Sequence, residues 1–421
     1  MTKARLARFR RSRNRRGSRG SPSPDRSIRL AVYTDYAYRR QDGTVYAERA
    51  FALFLAELAG RVERMVVVGR LNPHPGRERY ALPEEIDFVP LPYYPSAADL
   101  KALKPMLRSL SSFWHVLREV DAAWVLGPHP PLALAFAALT VLGRRQLILG
   151  VRQDLPRYVR TRHPGRRPLH LVADGLDAAY RAMARLAPTV VVGPDLARRY
   201  GQARRLLPIY VSLIRDEDIV GRESALERSY DGELRVLTVG RIEAEKNPLL
   251  LADVLARLRS NGRRWRLVVC GEGPLEPVLA ERLVELGVAD QAELLGYLPV
   301  HGGLLELYRG SHVFLHVSWT EGVPQVLFEA FASGLPVVAT AVGGVASAAE
   351  GAALLVPPGD AGAAAAALAK IAEDGDLRER LLDAGLAKVR ASTLDAEVQR
   401  VAEFLSSAVA GQNLGPRSPR D

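Results

Sequence analysis

From Ile28 onward the chain alternates short apolar runs with stretches of helical spacing, and it runs through that alternation twice. Residues 28–35 (IRLAVYTD) read as a buried strand bounded by polar residues. A loop over 36–44, containing Asp42-Gly43, leads into apolar residues at helical spacing over 45–59. Strands follow at 64–68, 87–90, 122–126, 146–151 and 189–192, with helical stretches such as 99–120 and 131–142 between them. A further helix opens at Pro194-Asp195. Residues 216–233 are polar, contain no strand and read as a linker. The alternation restarts with LRVLTVG at 234–240 and continues through RWRLVVCG, AELLGYL, HVFLHVS, LPVVAT and AALLV. Helices at 248–260, 275–286 and 324–332 lie between these strands, and only helices follow Ala361.

Such alternation implies parallel sheets covered on both faces. The expected fold class is therefore α/β, with two doubly wound domains, 28–215 and 234–393, facing each other across a cleft. In open sheets of this kind ligands bind at the carboxyl ends of strands, where the strand order reverses. A last helix, 394–409, has no strand after it and is expected to pack back on the first domain. Residues 1–27 and 410–421 are expected to be a disordered basic arm and a disordered tail.

With 421 residues, 48% apolar and 25% charged, the chain can bury a large core, which excludes a disordered protein. Its longest apolar run, 131–143, falls short of the ~20 residues of a membrane-spanning helix. The single cysteine, Cys270, excludes an internal disulfide and cysteine-based zinc or iron–sulfur clusters, and fits a reducing compartment. The net charge of +11 is unevenly spread: +9 over 1–26, +7 over 27–233 and −6 over 234–409. The first half is thus expected to meet something anionic, and the two domains to have different partners. The arm reads either as an anion binder or as an overlong start without function. A twin-arginine export signal is disfavoured, because Ser-Pro-Ser-Pro stands where an apolar segment is required.

Three stretches carry chemistry. Gly240-Arg241-Ile242-Glu243-Ala244-Glu245-Lys246-Asn247-Pro248 follows a strand and opens a helix. Two cations there, with the helix N-terminus, suit a diphosphate; the alternative is an ordinary basic loop. Cys270-Gly271-Glu272-Gly273-Pro274 ends the next strand, and its glycines permit close approach of backbone to a ligand. It lacks the full dinucleotide fingerprint, and a plain tight turn is its alternative. The third stretch runs from Trp319 to Gly334, with Glu321 and Gly322 on a loop, Val323 next, and Pro324 starting a helix. Glu329 falls about one and a half turns into that helix among Val326, Leu327, Phe328 and Ala330. A carboxylate in such company is costly unless hydrogen-bonded, and a ligand hydroxyl would satisfy it. The alternatives are a helix-face ion pair for Glu329 and a solvated loop position for Glu321.

Taken together, Gly240-Arg241 with Lys246, Gly271-Glu272-Gly273-Pro274, Glu321-x7-Glu329, and Pro336-Val337-Val338-Ala339-Thr340 before Gly343-Gly344 resemble glycosyltransferase family 4. These are retaining enzymes of the GT-B fold, two Rossmann-like domains across a cleft. The likeness is good over 234–360 and weaker over 28–214. It implies a nucleotide-diphosphate-sugar donor, with Arg241 and Lys246 on the diphosphate, Glu329 on the ribose, and Glu321 on the transferred sugar near its anomeric carbon. Backbone at Gly322, Val323 and Pro324 would touch sugar or phosphate, and the Gly271–Gly273 loop and the segment around Tyr297 would face the base. Neither metal nor other cofactor is implied, since Arg241, Lys246 and a helix N-terminus do the metal's work. In the first domain Asp42-Gly43 stands where the family commonly has Gly-Gly. Gly43, His129, Arg152 and Asp154 are the candidates there for cleft or acceptor contacts, although the family often has a His where Gly150-Val151-Arg152-Gln153-Asp154 stands. The implied acceptor is a glycan or a lipid-linked molecule of envelope or exopolysaccharide assembly, at an anionic membrane surface on the cytoplasmic side, with no specific nucleic acid.

Other classes fit less well. Asp216-Glu217-Asp218 has the D-x-D form of a metal-dependent GT-A transferase, but a complete second α/β domain follows it. A polyanion-binding or nucleic-acid-binding protein would need aromatics interleaved with the arm's cations. A nicotinamide-dependent oxidoreductase would need G-x-G-x-x-G at a domain's first strand. A catalytically dead relative would not need the intact Arg, Lys and Glu set.

Overall fold

A computed structural model of the protein describes residues 28–75, 80–95, 100–127, 131–259 and 262–413. The basic arm 1–27, His129 and residues 414–421 of the tail lie outside the described residues. Among those described, the first domain forms a nine-stranded sheet and the second a six-stranded one.

The first sheet holds β1 (Arg29–Gln41), β2 (Thr44–Ala47), β3 (Arg64–Leu71), β4 (Tyr80–Ala81), β5 (Ile86–Leu91), β6 (Ala122–Gly127), β7 (Gln146–Val151), β8 (Pro188–Val192) and β9 (Arg205–Ile209). Its parallel body runs β5-β3-β1-β6-β7-β8-β9, so the order reverses between β1 and β6. The segment 36–47 departs from the loop and helix expected of it. β1 continues to Gln41, Asp42 and Gly43 turn with φ of +48° and +87°, and β2 pairs back antiparallel with Gln41 opposite Thr44. Asp-Gly with both residues in left-handed conformation is a tight hairpin turn. Val45 and Ala47 are buried because they alternate along a strand, and the helix begins only at Phe51–Ala59.

The second sheet holds β10 (Glu233–Val239), β11 (Arg264–Cys270), β12 (Ala292–Leu294), β13 (Val313–His316), β14 (Val337–Thr340) and β15 (Ala353–Val356). It is wholly parallel in the order β12-β11-β10-β13-β14-β15. The order therefore reverses between β10 and β13, which puts the crevice for a ligand at the ends of those two strands.

Each sheet buries apolar side chains on both faces, as parallel sheets require. The last helix, Leu394–Asn413, starts beyond the second domain and lies on the first. Leu394, Val398, Val401, Leu405 and Ala408, spaced three or four apart, join Phe51, Phe54, Leu55 and Leu58 in one buried cluster. The chain thereby closes back across the domain junction. Asp216-Glu217-Asp218 makes a single 3-10 turn between the domains, where an oxygen of Asp218 accepts the Arg215 N–H at 2.9 Å. None of the three lines the cleft, so the GT-A reading fails on both fold and position. No helix among the described residues is long and apolar enough to cross a membrane.

Candidate active site

The loops after β10 and β11 are stitched together by backbone. Gly240 N–H donates to Cys270 O at 3.0 Å and Ile242 N–H to Glu272 O at 2.9 Å. A Cβ on Gly271 would lie 1.8 Å from Gly240 O, and one on Gly273 2.3 Å from Ile242 O. These glycines allow one loop to pack on the other. Gly271 and Glu272 also line the cleft, whereas Gly273 does not.

Arg241 and Lys246 stand on the β10 loop, and each faces carboxylates. Arg241 pairs with Glu243 and, at 3.0 Å, with Glu245. Lys246 pairs with Glu321, on the loop beyond β13. Ser318 Oγ donates to the same Glu321 oxygen at 2.9 Å, and His316 Nε2 lies 3.3 Å from it. Burial alone would raise the proton affinity of Glu321. The Lys246 charge, the nearby His316 ring and the Lys246 hydrogen bond outweigh it and hold the carboxyl down at about 2. The Gly343-Gly344 turn supports this loop from behind, for a Cβ on Gly343 would lie 2.0 Å from Glu321 O.

Glu329 sits in the helix Gln325–Ala332, 5% exposed. Its Oε2 accepts a hydrogen bond from Tyr308 Oη at 2.9 Å. Burial pushes this carboxyl up to about 7, and the Tyr308 bond opposes the rise. The two acids of Glu321-x7-Glu329 thus line one cavity in opposite electrostatic states.

That cavity, about 490 Å³, lies between the domains. The second domain contributes Arg241, Lys246, Gly271, Glu272, Tyr297, Glu321, Gly322, Val323, Pro324 and Glu329. The first contributes Tyr36, Glu48, Arg49, Phe51, Tyr80 and Arg152. The walls meet where Tyr80 Oη lies 3.4 Å from Tyr297 Oη, and where Val323 packs on Gly193. A smaller adjoining cavity of about 110 Å³ holds Asp154, whose side chain caps the helix Leu155–Arg162 by accepting the Arg157 N–H at 3.0 Å. Gly43 stands at the exposed tip of the β1–β2 hairpin, outside both cavities; residues 48–51 take its expected place, because the hairpin carries the chain past the cleft before the helix starts.

Sequence reasoning missed Tyr308, His316 and Ser318 as partners of the two acids, and Glu243 and Glu245 as partners of Arg241. His316 and Ser318 were within reach, since both lie where HVFLHVS runs into the Glu321 loop. Tyr308 comes from a separate helix and left no local sign. Among the described residues no group of three or more His, Cys, Asp or Glu is placed to hold a metal ion.

Two Rossmann-like domains whose switch points share one cleft define the GT-B architecture. Solved GT-B structures agree. Sucrose-phosphate synthase from Thermosynechococcus elongatus superposes over 91% of this chain and all of that one, with a TM-score of 0.65 at 19% identity. Alr3699/HepE from Anabaena, solved in complex with UDP-glucose, covers 90% of this chain and 99% of its own, with a TM-score of 0.64 at 18% identity. Residues 222–387, which make up most of the second domain, match the family described as Glycosyl transferases group 1. A D-inositol 3-phosphate glycosyltransferase from Corynebacterium glutamicum is 32% identical over 188 residues, 42% of this chain and 44% of that protein. An alpha-D-kanosaminyltransferase from Streptomyces kanamyceticus is 28% identical over 218 residues, 49% of this chain and 56% of that one. The chain thus spans about half the length of these curated relatives.

Proposed function

We propose that the protein transfers a sugar from a nucleotide-diphosphate-sugar donor to an acceptor hydroxyl in the interdomain cleft, retaining the anomeric configuration and needing no metal. The observation that carries this reading is the convergence of Arg241, Lys246, Glu321 and Glu329 on one cavity at the second sheet's switch point.

Cleavage of the donor bond leaves a nucleoside diphosphate with growing negative charge. Arg241, Lys246 and the N-terminus of the helix Gln325–Ala332 are positioned to stabilise that charge as it develops. Without ligand, Glu243, Glu245 and Glu321 neutralise the two cations. A diphosphate competes for both, which frees Glu321 toward the transferred sugar. Glu329, ionised, accepts hydrogen bonds from the ribose hydroxyls, and Tyr297 and the β11 loop bound the space for the base. The first-domain wall takes the acceptor. A glycan or lipid-linked acceptor of polysaccharide assembly fits the +7 charge of 27–233, which favours work beside an anionic membrane surface. Relatives named as an amylovoran biosynthesis glycosyltransferase from Erwinia amylovora and a putative colanic acid biosynthesis glycosyltransferase from Salmonella typhimurium support that setting.

A panel of UDP-, GDP- and ADP-sugars, followed for slow donor hydrolysis without acceptor, tests the reading. Release of diphosphate from one donor, absent in Glu321→Gln, is expected. No hydrolysis or binding of any member would refute it.

A further inference from the structure

The first-domain wall of the cleft holds a cation that no carboxylate among the described residues pairs with. Arg152 follows β7 at the sheet's carboxyl edge and lines the main cavity. Its guanidinium carbon lies 4.5 Å from the centre of the Tyr36 ring and 5.0 Å from that of Phe51. Among the described residues it has no hydrogen-bonding or ion-pairing carboxylate. Burial lowers the proton affinity of the guanidinium, and Asp35 opposes this only through space.

Neighbouring cations are treated differently. On the opposite wall Arg241 and Lys246 pair with acids of their own domain, Arg39 pairs with Glu48 at 2.6 Å, and Arg199 pairs with Asp177 at 2.7 Å. A cation partly withdrawn from water without a paired acid is costly. The two rings offset part of that cost through cation–π contact. The rings offer no acceptor to the guanidinium N–H groups, and a fork of such donors suits bidentate binding of an oxyanion. Arg49, exposed on the same wall, likewise has no carboxylate partner among the described residues.

Position narrows what the oxyanion belongs to. A Cβ on Gly322 would lie 3.5 Å from Arg152 O, so the two domains touch here, one residue from Glu321. The Arg152 backbone thus lies beside the Glu321 loop and its side chain lines the same cavity, on the wall facing Arg241 and Lys246.

We propose that Arg152 is a specificity-determining residue for an anionic group, a carboxylate or phosphate ester, carried at the reacting centre by the transferred sugar or by the acceptor. This rests on the reading of the cleft as a sugar-transfer site. Two arms separate the sources, and in each the readout is the ratio of affinities for an anionic and a neutral probe, which is independent of overall affinity. In the donor arm, calorimetry compares UDP-glucuronate with UDP-glucose and GDP-mannuronate with GDP-mannose. In the acceptor arm, glucose 6-phosphate is compared with glucose on protein saturated with UDP or GDP. One arm should show at least a tenfold preference for the anionic probe. Arg152→Gln should abolish it and Arg152→Lys should restore it in part, with unchanged melting profiles as the control for folding. Nucleotide binding with no anionic preference in either arm, or a preference that survives Arg152→Gln, would overturn the proposal alone. Failure of wild type to bind any nucleotide would overturn the cleft reading and this proposal with it.

Discussion

Replacing Glu329 with Gln should make the protein more stable at alkaline pH while weakening nucleotide binding. The carboxyl is 5% exposed and faces a Tyr308 hydroxyl that is itself fully buried. Its proton affinity is raised from the ordinary 4.5 to about 7 by burial, against the pull of the Tyr308 bond. A group raised on folding contributes its stability in full below 4.5 and loses it as pH climbs through 7. At about 1.4 kcal/mol for each tenfold change in proton affinity, the loss across that window is about 3 kcal/mol. Gln has nearly the same shape, stays neutral and can still accept from Tyr308. Its second amide hydrogen, if unmatched, returns about 1 kcal/mol of that gain. Urea unfolding at pH 5 and pH 8.5 is the assay. Wild type and Glu329→Gln should be close at pH 5, and the variant should be more stable by about 2 kcal/mol at pH 8.5. Under the proposed ribose contact the same ionisation should govern binding, because only the carboxylate is a strong acceptor for two hydroxyls. Wild-type affinity for a nucleoside diphosphate should therefore rise between pH 6 and 8, and that of the variant should be lower and flat. Parallel stability curves from pH 5 to 8.5 would refute the assignment of a buried, largely unpaired acid at this position.

Other expectations are independent of that one. Glu321→Gln should lower turnover without weakening nucleotide affinity, because its proposed contact is at the reacting centre and it competes with the diphosphate for Lys246. Since Glu321 is held at about 2, the pH–rate profile should show no limb from this group near its ordinary 4.5, and a split of kcat from KM measures the role. Leu405→Ala, at a fully buried position of the last helix, should cost the first domain about 2–5 kcal/mol, read by calorimetric unfolding. Transfer should continue in EDTA, and NMR of the product should show the donor's anomeric configuration retained; an inverted product would separate this protein from the family it resembles.

The parts of this molecule that were legible in its sequence are those where one physical rule dominates. β7 was expected over 146–151 and spans Gln146–Val151, because a central parallel strand is apolar on both faces and its run has sharp polar ends. Arg241, Lys246, Glu321 and Glu329 could be brought to one site before any coordinates through the resemblance to glycosyltransferase family 4, with which the convergence of strand carboxyl ends at a switch point agrees. The hairpin at 36–47 was obscured because Val45 and Ala47, which alternate along β2, run directly into the apolar spacing of the next helix. Asp42-Gly43 was the signal that should have decided it. The helix Arg167–Ala184 was not anticipated at all, since its buried side, Ala173, Asp177, Tyr180 and Ala184, includes a charged residue and few large apolar ones. Pairings were the least legible feature. Tyr308 reaches Glu329 from 21 residues away, and Arg152 meets two rings but no paired carboxylate among the described residues, which no spacing records.

The central claim is that Arg241 and Lys246 form a diphosphate clamp at the second sheet's switch point. Titration calorimetry of UDP, GDP and ADP into wild type, Arg241→Ala and Lys246→Ala tests it most directly. Wild type should bind at least one of the three, and each substitution should weaken that binding more than about tenfold, the loss of a charge-assisted hydrogen bond of ~1.5 kcal/mol or more. Arg241→Ala should unfold like wild type, because its side chain lies outside the buried core, and Lys246→Ala should stay folded but less stable, because it removes the counter-charge of Glu321. A nucleoside diphosphate bound equally well by wild type and both variants would contradict the account.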